Sequence, residues 1–97
     1  MERVYISGPI TGVENYLKRF RDAERDLIYK GYTSIVNPAE VSRHLPEDFT
    51  HEEYMRVCLA ELECCNIILM LRGWENSKGA RIEKEFAEKK GMTIVYQ

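Results

Sequence analysis

Four short stretches rich in β-branched and apolar residues alternate with longer segments of helical periodicity along this 97-residue chain. The stretches are residues 3–7, 33–36, 66–71 and 93–96. Strands that alternate with helices pair in parallel, because each helix returns the chain across the sheet in a right-handed crossover. The alternation therefore predicts an α/β fold. The predicted fold is a Rossmann-like (flavodoxin-like) parallel sheet of about four strands, in the order 2-1-3-4, with helices on both faces.

Three helices are predicted between these strands. Apolar residues at helical spacing predict a first helix over about residues 14–30, and a second helix begins near residue 50. A third is expected over residues 80–90, and residues 39–49 read as a short helical turn and a loop.

Two segments have the form of a capping box, in which a hydroxyl side chain is followed three residues later by a carboxylate. Thr11 and Glu14 have this spacing before the first helix, and Thr50 and Glu53 have it before the second. The sequence therefore predicts that Thr11 and Thr50 each cap a helix.

The composition excludes several classes of protein. The 14 Lys and Arg residues nearly balance 16 Asp and Glu residues, so there is no basic stripe for nucleic acid. The longest apolar run, residues 67–71, is too short to span a bilayer, and the N-terminus lacks a signal-peptide pattern. We expect one domain over residues 1–97 that is cytoplasmic and binds neither nucleic acid nor membrane. Because a chain this short buries a limited core, a homodimer is also expected.

The three cysteines do not form a recognisable disulfide or metal pattern. Cys58, Cys64 and Cys65 are an odd number within eight positions, unlike a secreted disulfide framework. His44 and His51 lie on a different segment without zinc-site spacing. We therefore expect neither a metal nor another cofactor.

The loop after the first strand lies where parallel α/β sheets bind ligands, beyond the carboxyl ends of strands 1 and 3. Its glycines let the backbone approach a ligand closely, and the following helix N-terminus favours an anion or a sugar. A plain strand-to-helix turn is the alternative interpretation. The candidate ligand-binding residues here are Ser7, Gly8, Pro9, Ile10, Thr11 and Gly12.

The loop after the third strand, residues 72–79, carries a second group of candidates. Ser77 and Gly79 stand at the start of a helix, where N–H groups and a hydroxyl suit phosphate or sugar oxygens. Trp74 either stacks on a base or covers the core.

Glu83 lies about one turn into the third helix, and helical side chains lean toward the helix N-terminus, here toward the crevice. The helix N-terminus is expected to keep the carboxylate ionised. An ionised carboxylate beside a sugar can attack the anomeric carbon, as in retaining glycoside chemistry. The alternative is that Glu83 only complements the helix dipole.

Two motifs carry a family resemblance. Residues 5–12 match Y-I-S-G-P-[IM]-T-G, and residues 73–83 match G-W-x-x-S-x-G-A-x-x-E, which is long and unusual. On these motifs the chain resembles, nearly end to end, the nucleoside 2-deoxyribosyltransferase-like superfamily. It looks closest to a small bacterial and phage branch.

The resemblance implies a Rossmann-like homodimer that cleaves an N-glycosidic bond. It makes Glu83 the nucleophile that attacks C1′ of the sugar, with Tyr5 orienting the carboxylate or the sugar. Transferases acting on free nucleosides carry Asp at the position of Ser77, whereas the nucleotide N-hydrolases carry Ser. The resemblance therefore implies a nucleoside monophosphate ligand and water as the acceptor.

The second helix departs from the family pattern. Relatives carry an Asp within a sequence like M-R-x-D-L, and Cys58 occupies the matching position here. Cys58 therefore joins the candidate substrate-binding residues. Three functions stay open: an N-glycosidase, a protein that binds a nucleotide without cleaving it, and a deoxyribosyltransferase.

Overall fold

A computed structural model describes residues 1–97, apart from the side chain of Ser42. The strands are β1 (Arg3–Ser7), β2 (Ser34–Val36), β3 (Ile67–Met70) and β4 (Thr93–Tyr96). The helices are α1 (Tyr16–Tyr29), α2 (Pro38–Ser42), α3 (His51–Glu63) and α4 (Lys78–Lys89), with a 3₁₀ turn at Trp74–Asn76 before α4.

The four strands form one parallel sheet in the order β2-β1-β3-β4. Central β3 is buried along its whole length, as expected for a strand covered on both faces. The predicted fold class and strand order are therefore confirmed.

Side chains of β1 alternate between the two faces of the sheet. Val4 and Ile6 belong to a core cluster that includes Phe20 of α1, on one face. Tyr5 belongs to a second cluster, with Leu62 of α3, on the opposite face. Helices thus cover both faces, and the α3–α4 face is the one toward which Tyr5 and Ser7 project.

The predicted capping box at Thr11 is wrong. Residues 10–13 form a turn in which the Val13 N–H donates to the Ile10 carbonyl at 3.1 Å, and Gly12 has a φ of 78°. Because of this turn, α1 begins only at Tyr16. Its N-cap residue, Asn15, makes no side-chain capping hydrogen bond. Spacing alone cannot reveal the delay, because the left-handed glycine sets where the helix begins.

The predicted capping box at Thr50 is confirmed. The Thr50 hydroxyl accepts from the Glu53 N–H at 3.1 Å, and the Glu53 carboxylate accepts from the Thr50 N–H at 2.9 Å. Together these bonds fix where α3 begins.

Neither a membrane-spanning helix nor a metal cluster is found in the part of the chain that the structure describes. None of its helices is long and apolar enough to cross a bilayer. No group of three or more His, Cys, Asp or Glu residues in the same part could hold a metal ion.

We predict that Thr50→Ala lowers the free energy of unfolding by about 1 kcal/mol, because it removes a helix cap. Thr11→Ala should change it by less than about 0.5 kcal/mol, since Thr11 is exposed and caps no helix. Urea unfolding of both variants, with Thr50→Ser as the conservative control, checks this. Equal losses in the two alanine variants would contradict the assignment of the caps.

Candidate functional site

A cavity of about 410 Å³ opens beyond β1 and β3. Residues 8–11 line one side and residues 76–80 another, so the structure brings the two predicted loops together. His51 and Tyr54 of α3 line a further wall, and Glu83 is at its base. A volume of several hundred Å³ is typical of a site for one small molecule.

Two hydroxyl groups hold the Glu83 carboxyl, which is only 6% exposed. The Tyr5 hydroxyl donates to Glu83 Oε2 at 2.5 Å, and the Ser7 hydroxyl donates to Glu83 Oε1 at 2.6 Å. Tyr5 and Ser7 are two residues apart on β1, so both project from the face that α4 covers. Each carboxyl oxygen therefore has a fixed hydrogen-bond donor, and the carboxyl has a defined orientation.

Burial decides the ionisation of Glu83. It raises the pKa of the carboxyl to about 7, although the hydrogen bonds from Ser7 and Tyr5 act in the opposite direction. The negative charge of Glu61 raises the pKa further. The helix N-terminus therefore does not keep Glu83 fully ionised, because Glu83 is the sixth residue of α4, beyond the first turn, and burial raises its pKa. Near neutral pH the carboxyl is divided between its protonated and ionised forms.

Tyr5 stays a phenol at any physiological pH. Its hydroxyl is fully buried, and burial together with the adjacent Glu83 carboxyl raises the pKa of Tyr5 well above its ordinary value. It therefore serves the carboxyl as a hydrogen-bond donor.

Cys58 lies in the core rather than in the wall of the cavity. Its side chain is 1% exposed and belongs to the same buried cluster as Tyr5. Burial raises the pKa of the Cys58 thiol to about 11, although hydrogen bonds from Tyr54 and Tyr5 act against this. The thiol is therefore protonated near neutral pH, and it lies behind the cavity, beside the hydroxyls of both tyrosines.

The residues after β1 have divided roles. Pro9, Ile10 and Thr11 line the cavity, whereas Gly12 lies outside it, in the exposed turn before α1. Ser7 lies beneath the cavity floor and holds Glu83. At Gly8, which also lines the cavity, a Cβ would come within 2.9 Å of Leu71 Cβ, so only glycine fits without a shift of the backbone.

Ser77 is the N-cap of α4, which begins two residues earlier than expected. The Ser77 hydroxyl accepts from the Ala80 N–H at 3.2 Å, and Ser77, Lys78 and Gly79 all line the cavity. The first N–H groups of a helix have no partner within that helix, so this end of the cavity suits an anion or polar oxygens.

Trp74 covers the core instead of lining the cavity. Its ring centroid is 6.0 Å from that of Tyr96, and Lys84 Nζ lies 5.2 Å from the Trp74 ring. The structure therefore offers Trp74 no position for stacking on a base in this cavity.

The comparisons with known proteins identify the family alone. A family model described as a domain of unknown function, DUF4406, matches residues 2–96. The chain belongs to the DUF4406 family. No curated protein is significantly similar to it.

Eight residues that line the cavity in this DUF4406 domain were missed by the sequence analysis. Four of them have polar side chains, His51, Tyr54, Asn76 and Lys78, and the other four are Phe20, Pro38, Met55 and Ala80. Tyr54 is four residues before Cys58 on α3, so helical spacing from Cys58, itself a candidate residue, is one signal that points to it. Lys78 follows the predicted Ser77 directly. His51 has no such signal, because only the packing of α3 against α4 places it at the cavity.

The raised pKa of Glu83 predicts how the stability of this DUF4406 domain depends on pH. The folded state binds this proton more tightly than the unfolded state, whose carboxyl has the ordinary pKa of 4.5. The stabilisation is complete below pH 4.5 and is lost as the pH rises toward about 7. This shift corresponds to about 3 kcal/mol.

Glu83→Gln, which cannot titrate, should lack this contribution. The difference in unfolding free energy, wild type minus variant, should therefore fall by about 3 kcal/mol between pH 4.5 and pH 8. Urea unfolding across that range measures it. A difference that is constant with pH would show that Glu83 is ionised throughout.

Proposed function

We propose that this DUF4406 domain is a cytoplasmic N-glycosidase of the nucleoside 2-deoxyribosyltransferase-like type. Its substrate is a (deoxy)nucleoside 5′-monophosphate, and its nucleophile is Glu83. One observation carries the proposal: a buried carboxyl, held by Tyr5 and Ser7, stands at the base of a cavity of nucleotide size. The two motifs quoted above contribute these same residues.

The ionised Glu83 carboxylate attacks C1′ of the sugar as the bond between C1′ and the base breaks. The base leaves with the electron pair of that bond. Water then attacks C1′ of the resulting ester, releases the sugar 5-phosphate and restores the carboxylate. Tyr5 and Ser7 keep the carboxylate in one orientation, which lowers the entropic cost of the attack.

The N-terminus of α4 supports a phosphate at the other end of the substrate. Lys78 adds a positive charge to the first-turn N–H groups there, and Ser77 adds a hydroxyl. Relatives that act on unphosphorylated nucleosides carry Asp at the position of Ser77, and a negative charge there would repel a phosphate. Serine thus favours a nucleotide over a nucleoside. As in the superfamily, we expect a homodimer.

Glu83→Gln should abolish the release of base from deoxynucleoside 5′-monophosphates, with a loss of at least about 10³-fold, because it removes the nucleophile. Chromatography of the free base after incubation with each deoxy- and ribonucleotide measures this. The matched control is Glu85→Gln on the same helix, where the side chain is exposed and the activity should persist. Equal base release from both variants would exclude Glu83 as the nucleophile.

A second candidate function is nucleotide binding without turnover. The buried Cys58 favours it, because a thiol with a pKa of about 11 cannot replace the carboxylate that relatives carry at this position. Thermal stabilisation by a nucleotide without any release of base would support this function. A third candidate, transfer of the sugar to a second base, predicts base exchange when free base is added to the same assay.

A further inference from the structure

The proposed reaction requires a proton donor for the departing base. Tyr5 and Ser7 both donate to Glu83, and Cys58 lies behind the cavity with a raised pKa. A base leaves faster from the sugar when it is protonated as the bond breaks. The donor is therefore to be found among the other side chains that line the cavity.

His51 is the first residue of α3, and its imidazole lines the cavity. His51 Nε2 is 3.7 Å from the position that a Cβ on Gly79 would occupy. Gly79 is four residues before Glu83 on α4, so the two residues share a face and their Cβ positions are about 6 Å apart. The imidazole therefore lies about one helical turn from the base of the Glu83 side chain.

His51 and Glu83 line the same cavity, so both can reach one bound sugar. A retaining mechanism requires this, because the acid and the nucleophile flank the anomeric carbon. A sugar whose C1′ faces Glu83 at the base of the cavity would have its leaving group directed along the wall formed by α3. His51 stands on that wall.

The alternatives on the same walls are less suitable. Burial raises the pKa of the Tyr54 phenol far above its ordinary value, so Tyr54 holds its proton. Lys78 lies at the N-terminus of α4, where its charge serves an anionic group. An imidazole ring has two nitrogens, of which one can donate a proton and the other can accept one, so the same side chain can act as acid and as base.

We propose that His51 is the general acid and base of the reaction, which presupposes the proposed N-glycosidase. In the first step Glu83 bonds to C1′, the bond from C1′ to the base breaks, and the imidazolium gives its proton to the base. In the second step water attacks C1′ and the imidazole takes a proton from that water. The bond from C1′ to Glu83 breaks as the water bonds to C1′, its electron pair restores the carboxylate, and the cycle consumes one water for each base released.

The decisive experiment varies the leaving group. For a natural nucleotide, His51→Gln should lower kcat by about 10²- to 10⁴-fold, with little change in KM. For 4-nitrophenyl 2-deoxyribose 5-phosphate, whose leaving group departs without protonation, the same variant should release the first equivalent of 4-nitrophenolate at a rate within a few-fold of the wild type. Its steady-state kcat should still fall, because the second step lacks its base. His44→Gln is the matched control, since His44 is exposed and does not line the cavity.

Other outcomes overturn the role of His51. Equal losses of the first-turnover rate on both substrates would show that His51 positions Glu83 or the sugar, and a rise in KM alone would show that it binds the phosphate. If the wild type releases no base from any natural nucleotide, the proposed N-glycosidase itself fails, and the role of His51 fails with it.

Discussion

The two hydrogen bonds that Glu83 accepts from Tyr5 and Ser7 join the central strand β1 to helix α4. They link residues 78 and 76 positions apart in the sequence, and all three side chains are buried. A buried carboxyl without partners would destabilise the fold by several kcal/mol, so α4 is held at the height and rotation that bring Glu83 between the two hydroxyls. The position of this one helix then sets where the cavity lies, because residues 76–80 at its start form one wall.

The same strand serves the core on its other face. Val4 and Ile6 pack with Phe20 of α1 in a purely apolar cluster, whereas Tyr5 and Ser7 point the opposite way. Because side chains alternate along β1, the face with Val4 and Ile6 contributes to the apolar core, and the face with Tyr5 and Ser7, called the chemical face below, binds the Glu83 carboxyl. On the chemical face the Glu83 carboxyl is buried at a position where an apolar side chain would be more stable, and this burial raises the pKa of Glu83. Such a cost in stability is typical of a functional site.

Local patterns in the sequence predicted the fold and part of the site. The alternation of strands and helices suffices for the sheet order, since right-handed crossovers leave few other arrangements. The lean of helical side chains placed Glu83 at the crevice, and the loops after β1 and β3 were expected to meet there. The same reasoning expected Glu83 to be ionised, whereas burial raises its pKa to about 7. A sequence shows where a helix begins, but it does not show how deeply a side chain is buried.

The residues that sequence analysis missed depend on how α3 approaches α4. At Gly79 a Cβ would be 3.3 Å from Met55 Sδ and 3.7 Å from His51 Nε2, so the absence of a side chain permits this close contact between the helices. The approach directs the N-termini of both helices toward the cavity, while the Glu83 carboxyl lies at its base. The cavity is thus polarised, with partial positive charge at the helix starts and an acidic group at the bottom. A ligand with an anionic group at one end and an electrophilic carbon at the other can place the anion at the helix N-termini and the carbon at the Glu83 carboxyl. A neutral nucleoside has no anionic group for the helix N-termini, and this difference is the physical reason to favour a phosphorylated substrate.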